Sequence, residues 1–330
     1  MLGYFCRMDP RSHDRHRARI RGVGKAVLTF LLATLLCFAI LVGGHIERTW
    51  SAAGQTASQE AIDAFRAERG YDRPLPIAYL VYLGQLISLS PPPSDVTGEA
   101  VLPKMTRAAA VSALALAPGF VLGHLLALAL AIAATWREGS WLDRLLNRSA
   151  TILMSLSGAL IVVAVQWSLS SPAGLDWLPV RGWTMDSFSG WLRGAAGPTI
   201  ALVFMILGFA FRLDRAILQE EMSRPHIDAL RSLGCGRLRC VLMHALVNAA
   251  PVLIARILFL LPSVLVAGSF LLESQFGIPG IGRLTLEAVG NGDRSYLLTL
   301  IGVTALLFTA VQVAADTIGQ RLDPRRQALS

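Results

Sequence analysis

The chain has 330 residues, of which 54% are hydrophobic and only 16% are charged, and its formal net charge is +8. Soluble domains carry about 25% charged residues, so the composition argues against a water-soluble enzyme and indicates a chain partly solvated by lipid. The four cysteines are too few and too scattered for a disulfide framework. No soluble basic domain collects the positive charge, so nucleic acid is not a predicted partner.

Six apolar stretches approach the length of about 20 residues that crosses a bilayer. They lie at residues 26–44, 108–135, 149–169, 198–211, 251–272 and 297–318. The fourth stretch is short unless residues 191–196 extend it. The sequence therefore predicts an all-α integral membrane protein with six transmembrane helices.

These stretches divide the chain into five predicted regions. They are a basic cytoplasmic N-terminus (1–25), a first transmembrane helix (26–44), an external segment (45–107), a five-helix core (108–320) and a cytoplasmic tail (321–330). Within the core, residues 212–249 form a long polar loop, and a loop of that length usually has a function.

The distribution of Lys and Arg predicts the orientation. If the N-terminus is cytoplasmic, the inner segments carry nineteen such residues and the short outer loops carry four. Short cytoplasmic loops are enriched in Lys and Arg, which gives an N-in, C-in topology. The first span exceeds the apolar length of about 7–15 residues found in signal peptides, so we expect an uncleaved anchor.

The polar loop contains a predicted short helix. Pro225 fits its first turn, where a missing N–H has no cost, and Gly234 fits its end. Ile227, Leu230 and Leu233 recur at helical spacing and form a short apolar stripe. Two interpretations remain open on this pattern: the helix docks into a groove of a partner protein, or it lies on the lipid surface.

The same segment resembles the EAA motif of ABC importer permeases, in which Glu-Ala-Ala is followed, after three further residues, by Gly. Asp228 stands at the Glu position, Ala229 and the bulkier Leu230 at the Ala positions, and Gly234 at the Gly. In that family the motif docks on an ATPase subunit. The resemblance therefore implies that these residues, with Arg231, couple the chain to an ATPase.

A second motif is more specific. Glu273, Phe276, Pro279, Gly280 and Gly282 resemble the Glu-x-x-Phe-x-x-Pro-Gly-Leu-Gly signature of the dipeptide, oligopeptide and nickel permeases. The Leu-Asp-Pro-Arg at residues 322–325 is similar to the end of those permeases, and residues 70–83 resemble their B-type subunit. Turn chemistry alone explains the Pro and Gly residues, so we expect the signature to turn the chain sharply on the outer face.

Together these motifs imply a type I ABC importer fold in the plasma (inner) membrane of a bacterium. The implied partners are a second homologous permease, two ATPase subunits and an external solute-binding protein, and the implied solute is a peptide, nickel or a similar small molecule. The chain has no ATP site of its own. Residues 22–25 come nearest to a phosphate-binding loop, but Ala26 stands after the lysine where that motif requires Ser or Thr. We therefore expect no cofactor on this chain, with ATP and magnesium held by its partners.

Two other functions compete with import. One is a related ABC permease for antimicrobial peptides or polyamines, including an exporter. The other is a membrane-embedded enzyme, which needs catalytic groups that converge in or near the spans. Asp143, Asp214, Glu273 and Asp316 do not form a recognisable pair, so no catalytic residue is predicted.

Arg256 is the unusual charge inside the fifth span. A charge at the bilayer centre costs at least about 2.5–3.5 kcal/mol. Arg256 is therefore a candidate cavity residue, with snorkelling toward the interface as an equal alternative. No metal site is predicted, since the spacing of Cys235, Cys240 and His244 fits no standard zinc pattern.

Overall fold

A computed structural model describes residues 10–43, 67, 73–170, 174–175, 183, 186–264 and 268–322. All regular elements in these ranges are helical, which confirms the predicted all-α class. The helices are α1 (Pro10–Gly43), α2 (Leu75–Ile87), α3 (Val101–Trp136), α4 (Trp141–Ser155), α5 (Gly158–Ser170), α6 (Phe188–Met222), α7 (Pro225–Ser232), α8 (Arg237–Arg239), a π-helical turn (Cys240–Ala245), α9 (Leu246–Ser263), α10 (Ser269–Phe276), α11 (Ile281–Asn291) and α12 (Arg294–Leu322).

Among the described residues, five helical segments are long and apolar enough to cross a membrane. They are Gly24–Val42, Val101–Trp136, Phe188–Met222, Arg237–Leu261 and Arg294–Ala314. A sixth span exists only if α4 and α5, which bend by 102° at their junction, count as one.

The span predicted at residues 149–169 is not one continuous helix, because it contains this bend. Helix α4 stops because Leu156 leaves the helical conformation, with φ −82 and ψ 137. The two following residues are Ser157 and Gly158. Sharp kinks are common at such Gly/Ser pairs, which stabilise a helix poorly.

The polar loop predicted at residues 212–249 is also too long. Helix α6 continues to Met222, and the next span begins at Arg237. The hydropathy pattern hid these helical ends because they carry polar side chains such as Asp214, Arg215 and Gln219. The segment between the two spans is only residues 223–236, and α7 occupies most of it.

The contacts divide the chain into two compact units, Met1–Ser90 with Leu298–Ser330, and Pro91–Leu297. In the first unit, Phe38 of α1 stacks on Tyr82 of α2 with ring centroids 5.3 Å apart. The Tyr82 hydroxyl donates a 3.0 Å hydrogen bond to the carbonyl of Leu298. Tyr79 adds a 2.9 Å hydroxyl contact to Thr34.

The second unit contains the candidate site residues and centres on the pairing of α3 with α6. Gly119 and Gly123, one turn apart on α3, face α6. A Cβ on Gly119 would lie 2.9 Å from the Cβ of Leu202, so the two backbones approach closely. Small residues spaced four apart allow such contact between membrane helices. An apolar cluster that includes Phe120, Leu202 and Phe276 fills the space beside them.

Candidate functional site

Helix α7 presents most of the predicted coupling residues on its surface. Ile227 is fully buried and anchors the helix to the rest of the unit. Asp228, Ala229 and Arg231 are exposed, and Leu230 is partly buried. The helix therefore has one apolar attachment point and, among the described residues, an exposed surface that carries both an acidic and a basic side chain.

The end of α7 requires a glycine. Gly234 has φ +88, in the left-handed region that other residues rarely adopt. Its N–H donates to the carbonyl of Arg231 at 3.0 Å, and the N–H of Cys235 donates to that of Leu230 at 3.0 Å. This pair of hydrogen bonds is a Schellman cap. It stops the helix and leaves Leu233 84% exposed at the tip.

The signature loop lies between α10 and α11 and is organised around a buried carboxylate. Glu273 is fully buried. It accepts hydrogen bonds from the Ser112 hydroxyl at 2.5 Å, from the Gly282 N–H at 2.8 Å and from the Arg283 N–H at 3.1 Å. The two N–H groups belong to the first turn of α11. The positive end of the helix dipole lies there, and it also stabilises a negative charge.

Burial raises the pKa of the Glu273 carboxyl above its usual range, and the hydrogen bonds from Ser112, Arg283 and Gly282 oppose that shift. Desolvation penalises the charged form of a buried acid, whereas donors that contact the carboxylate favour it. Because desolvation is the larger effect here, the site holds a proton more strongly than an exposed glutamate does.

The glycines of the signature permit this close packing. A Cβ on Gly280 would overlap the Glu273 carboxylate, and a Cβ on Gly282 would overlap the backbone of Phe270. Phe276 is buried, and its ring lies 2.6 Å from the position of a Cβ on Gly197. Only Pro279 of the five signature residues is exposed. Packing therefore accounts for four of the five residue types.

Arg256 has a partner that the sequence did not reveal. Its Nη2 atom lies 2.5 Å from Oδ1 of Asp214, and their side chains are 13% and 2% exposed. The pair joins α9 to α6. The two residues are 42 positions apart, a separation that gives no local signal for the pairing. The role of Arg256 in a cavity stays a prediction.

A buried histidine lies near this ion pair. His124 is 5% exposed, and its Nδ1 atom lies 2.8 Å from the carbonyl oxygen of Phe120. Within the described part of the chain, its Nε2 atom has no hydrogen-bond partner. Neither His124 nor Ser112 stood out in the sequence, because each is one polar residue in an apolar helix.

No group of three or more His, Cys, Asp or Glu side chains that could hold a metal ion occurs among the described residues. The side chain of Asp316 and residues 323–330 lie outside the described residues.

These features define the class of protein: a helical, multi-pass membrane protein with a capped, exposed helix between two of its spans. Residues 105–328 match the family described as binding-protein-dependent transport system inner membrane component. The chain belongs to this family. It is accordingly a non-catalytic permease component of the inner membrane with the type I importer fold.

Proteins named as peptide permeases are similar along most of their length. A peptide transport system permease protein of Brucella suis biovar 1 is 28% identical over 312 residues, which cover 91% of this chain and 93% of the relative. A peptide ABC transporter permease protein of Sinorhizobium fredii is 25% identical, covering 83% and 87%. The dipeptide transport system permease protein of Alkalihalophilus pseudofirmus is 25% identical, covering 88% and 93%.

Proposed function

We propose that this chain is one of two permease subunits of an ABC importer that takes up peptides. One observation carries the proposal: α7 is anchored by Ile227, capped by Gly234, and exposes Asp228, Ala229 and Arg231. A short helix of this kind suits a groove on a partner protein. Within a permease family the fitting partner is an ATPase subunit.

The proposed complex contains a second homologous permease, two ATPase subunits and an external solute-binding protein. ATP and its magnesium ion bind to the ATPase subunits, and this chain holds no cofactor. Closure of the ATPase pair displaces α7. Because α7 directly follows α6 and precedes the next span, its displacement moves both spans and changes which side the solute path faces.

Peptides are the favoured solute because the similar proteins are named as peptide or dipeptide permeases. Nickel, antimicrobial peptides and polyamines remain distinct outcomes that a transport measurement separates. An exporter is distinguished by the direction of accumulation. A membrane enzyme is distinguished by activity of this chain without an ATPase.

The test compares two glycine substitutions in residues 223–236, the segment between the two spans, which we call the coupling segment. Gly234→Val forces a β-branched residue into the left-handed region, at a cost of roughly 1–2 kcal/mol. Gly236→Val is the matched control, because Gly236 has φ −63 and ψ 145, and a Cβ there meets nothing within 4 Å. Each variant is expressed with its partner subunits in cells that lack the native permease.

We expect Gly234→Val to insert normally but to lose about tenfold in ATPase co-purification and in uptake of radiolabelled dialanine, since about 1.4 kcal/mol is a factor of ten. Gly236→Val should behave as the wild type. Unchanged co-purification and uptake in Gly234→Val would contradict the docking role. Uptake of radioactive nickel or putrescine in place of dialanine would replace the proposed solute.

A further inference from the structure

A chain of polar side chains connects the segment after α7 to the start of the bent helix pair. It consists of Glu138 in the α3–α4 turn, Asp143 on α4, Arg215 and Gln219 on α6, and Arg237 at the start of α8, and we call it the polar network. The EAA-like motif (residues 228–234) and the signature (residues 273–282) include none of the five.

The first link joins Arg237 to the α3–α4 turn. Its Nη2 atom forms an ion pair with Oε2 of Glu138, and its Nε atom donates a 3.1 Å hydrogen bond to the carbonyl of Thr135. Arg237 lies three residues after Gly234, the cap of α7. Displacement of the coupling segment therefore acts on this turn through the arginine.

The second link runs along α6. Nε2 of Gln219 donates to Oε1 of Glu138 at 2.9 Å, and Nη1 of Arg215 donates to Oε1 of Gln219 at 2.9 Å. Gln219 and Arg215 are one helical turn apart, so they face the same neighbours. Glu138 consequently contacts the two elements that flank α7 in the chain, α6 before it and α8 after it.

The third link reaches α4 through two parallel contacts. Nε and Nη2 of Arg215 lie 2.9 Å from Oδ1 and 2.9 Å from Oδ2 of Asp143. The two side chains are only 18% and 7% exposed. Asp143 also accepts a 3.0 Å hydrogen bond from the N–H of Gly139 and a 2.8 Å bond from Asn147. The Nη2 contact is a hydrogen bond, and the Nε contact is an ion-pair distance only. Hydrogen bonds between charged groups are stronger than those between neutral ones.

Helix α4 meets α6 at a second point, where Gly208 allows close contact. A Cβ on Gly208 would lie 3.0 Å from the carbonyl oxygen of Ala150 and 3.0 Å from the Cβ of Leu153. Leu153 lies just before the 102° bend between α4 and α5. The Asp143–Arg215 contact holds one end of α4, the Gly208 contact holds the other, and the bend allows α4 to tilt without carrying α5 rigidly with it.

We propose that the polar network converts displacement of α7 into a change in the bend between α4 and α5. Its charged members are then positioning residues for transport: Glu138, Asp143, Arg215 and Arg237. The inference rests on the proposed function. Exposed ion pairs contribute little to folding stability. A purely structural role therefore predicts that neutralising the exposed Glu138–Arg237 pair has a small effect on transport. A coupling role predicts that transport fails while ATP hydrolysis continues.

The experiment uses the whole transporter, reconstituted with its ATPase subunits, second permease and binding protein in proteoliposomes. The variants are Glu138→Gln, Arg237→Gln, the double variant of these two, and Gln219→Met, which breaks the second link without changing charge. The control is Glu99→Gln, which neutralises an exposed ion pair with Lys104 (3.1 Å) outside the network. The measured quantity is the amount of dialanine transported per ATP hydrolysed.

We expect each single network variant to assemble and hydrolyse ATP but to lower this ratio about fivefold, and the double variant to be no worse than either single one. Glu99→Gln should keep the wild-type ratio. An unchanged ratio in the network variants, additive losses in the double variant, or loss of assembly in Gln219→Met would overturn the inference. If the wild-type complex shows no dialanine transport, the proposed function fails instead.

Discussion

The hydroxyl of Ser112 on α3 donates a 2.5 Å hydrogen bond to Oε1 of Glu273, which lies 161 residues later in the chain. The same hydroxyl oxygen accepts a 2.8 Å hydrogen bond from the N–H of Ile281, at the start of α11. Ser112 therefore ties a spanning helix to both ends of the signature loop. The loop is therefore packed against the rest of the second unit, and the conformation of the loop depends on the buried carboxylate of Glu273.

The buried carboxylate predicts a dependence of stability on pH. The folded-state pKa of Glu273 is raised above its ordinary value of 4.5, so the folded protein binds this proton more strongly than the unfolded chain. Stability from this group is fully present below pH 4.5 and is lost as pH rises toward the folded-state pKa. Glu273→Gln, which is neutral at every pH, should remove this component.

The measurement is the thermal unfolding midpoint of the purified permease in detergent, at several values between about pH 5 and pH 8. The wild-type midpoint should fall as pH rises, and the Glu273→Gln midpoint should fall less. Glu287→Gln is the control, because Glu287 is half exposed in a pair with Arg283. Equal slopes for the wild type and Glu273→Gln would show that burial of this carboxyl does not control the transition.

The signature glycines can be tested by adding one methyl group. Gly280→Ala places a Cβ against the Glu273 carboxylate and should lower the free energy of unfolding by about 1–3 kcal/mol, as overpacking does elsewhere. Gly290→Ala is the matched control in α11, since a Cβ there meets nothing within 4 Å. It should be neutral or stabilise the helix by up to about 1 kcal/mol. The free energy of unfolding of both variants is measured in mixed micelles. Similar losses in the two would contradict the close packing around Gly280.

Local patterns predicted much of this fold. The helical class followed from apolar length, and the end of α7 followed from Gly234, because both depend on neighbouring residues only. The boundaries were less accurate. Asp214, Arg215 and Gln219 made the end of α6 look like a loop, although their side chains pair within the helical unit and α6 continues to Met222.

The contacts at the candidate site could not be predicted, because they join residues that are distant in the chain. Ser112 gives no signal of its contact with Glu273, and Asp214 gives none of its contact with Arg256. The bend after Ser155 depends on two poor helix formers inside an apolar run, which a hydropathy window averages away. In each case tertiary packing determines the partner.

The Asp214–Arg256 pair predicts unequal effects of single and double substitutions. Removing one partner leaves a buried charge uncompensated, so Asp214→Asn or Arg256→Met should lower the free energy of unfolding by about 3–5 kcal/mol. The double variant Asp214→Asn with Arg256→Met removes both charges and should cost less than the sum of the two single effects. A double-mutant cycle in mixed micelles measures this, and strict additivity would show that the two groups do not interact.

The pairing of α3 with α6 predicts a graded response at Gly119 and Gly123. A Cβ on Gly119 would lie 3.0 Å from backbone atoms of Thr199, which cannot move aside without shifting α6. A Cβ on Gly123 would lie 3.3 Å from the Cβ of Ile206, which needs a smaller adjustment. Gly119→Ala should therefore destabilise the permease by about 1–3 kcal/mol, and Gly123→Ala by less than about 1 kcal/mol. Unfolding of each variant in mixed micelles tests the order, and a larger loss at Gly123 would mean that the helices approach most closely at a different turn.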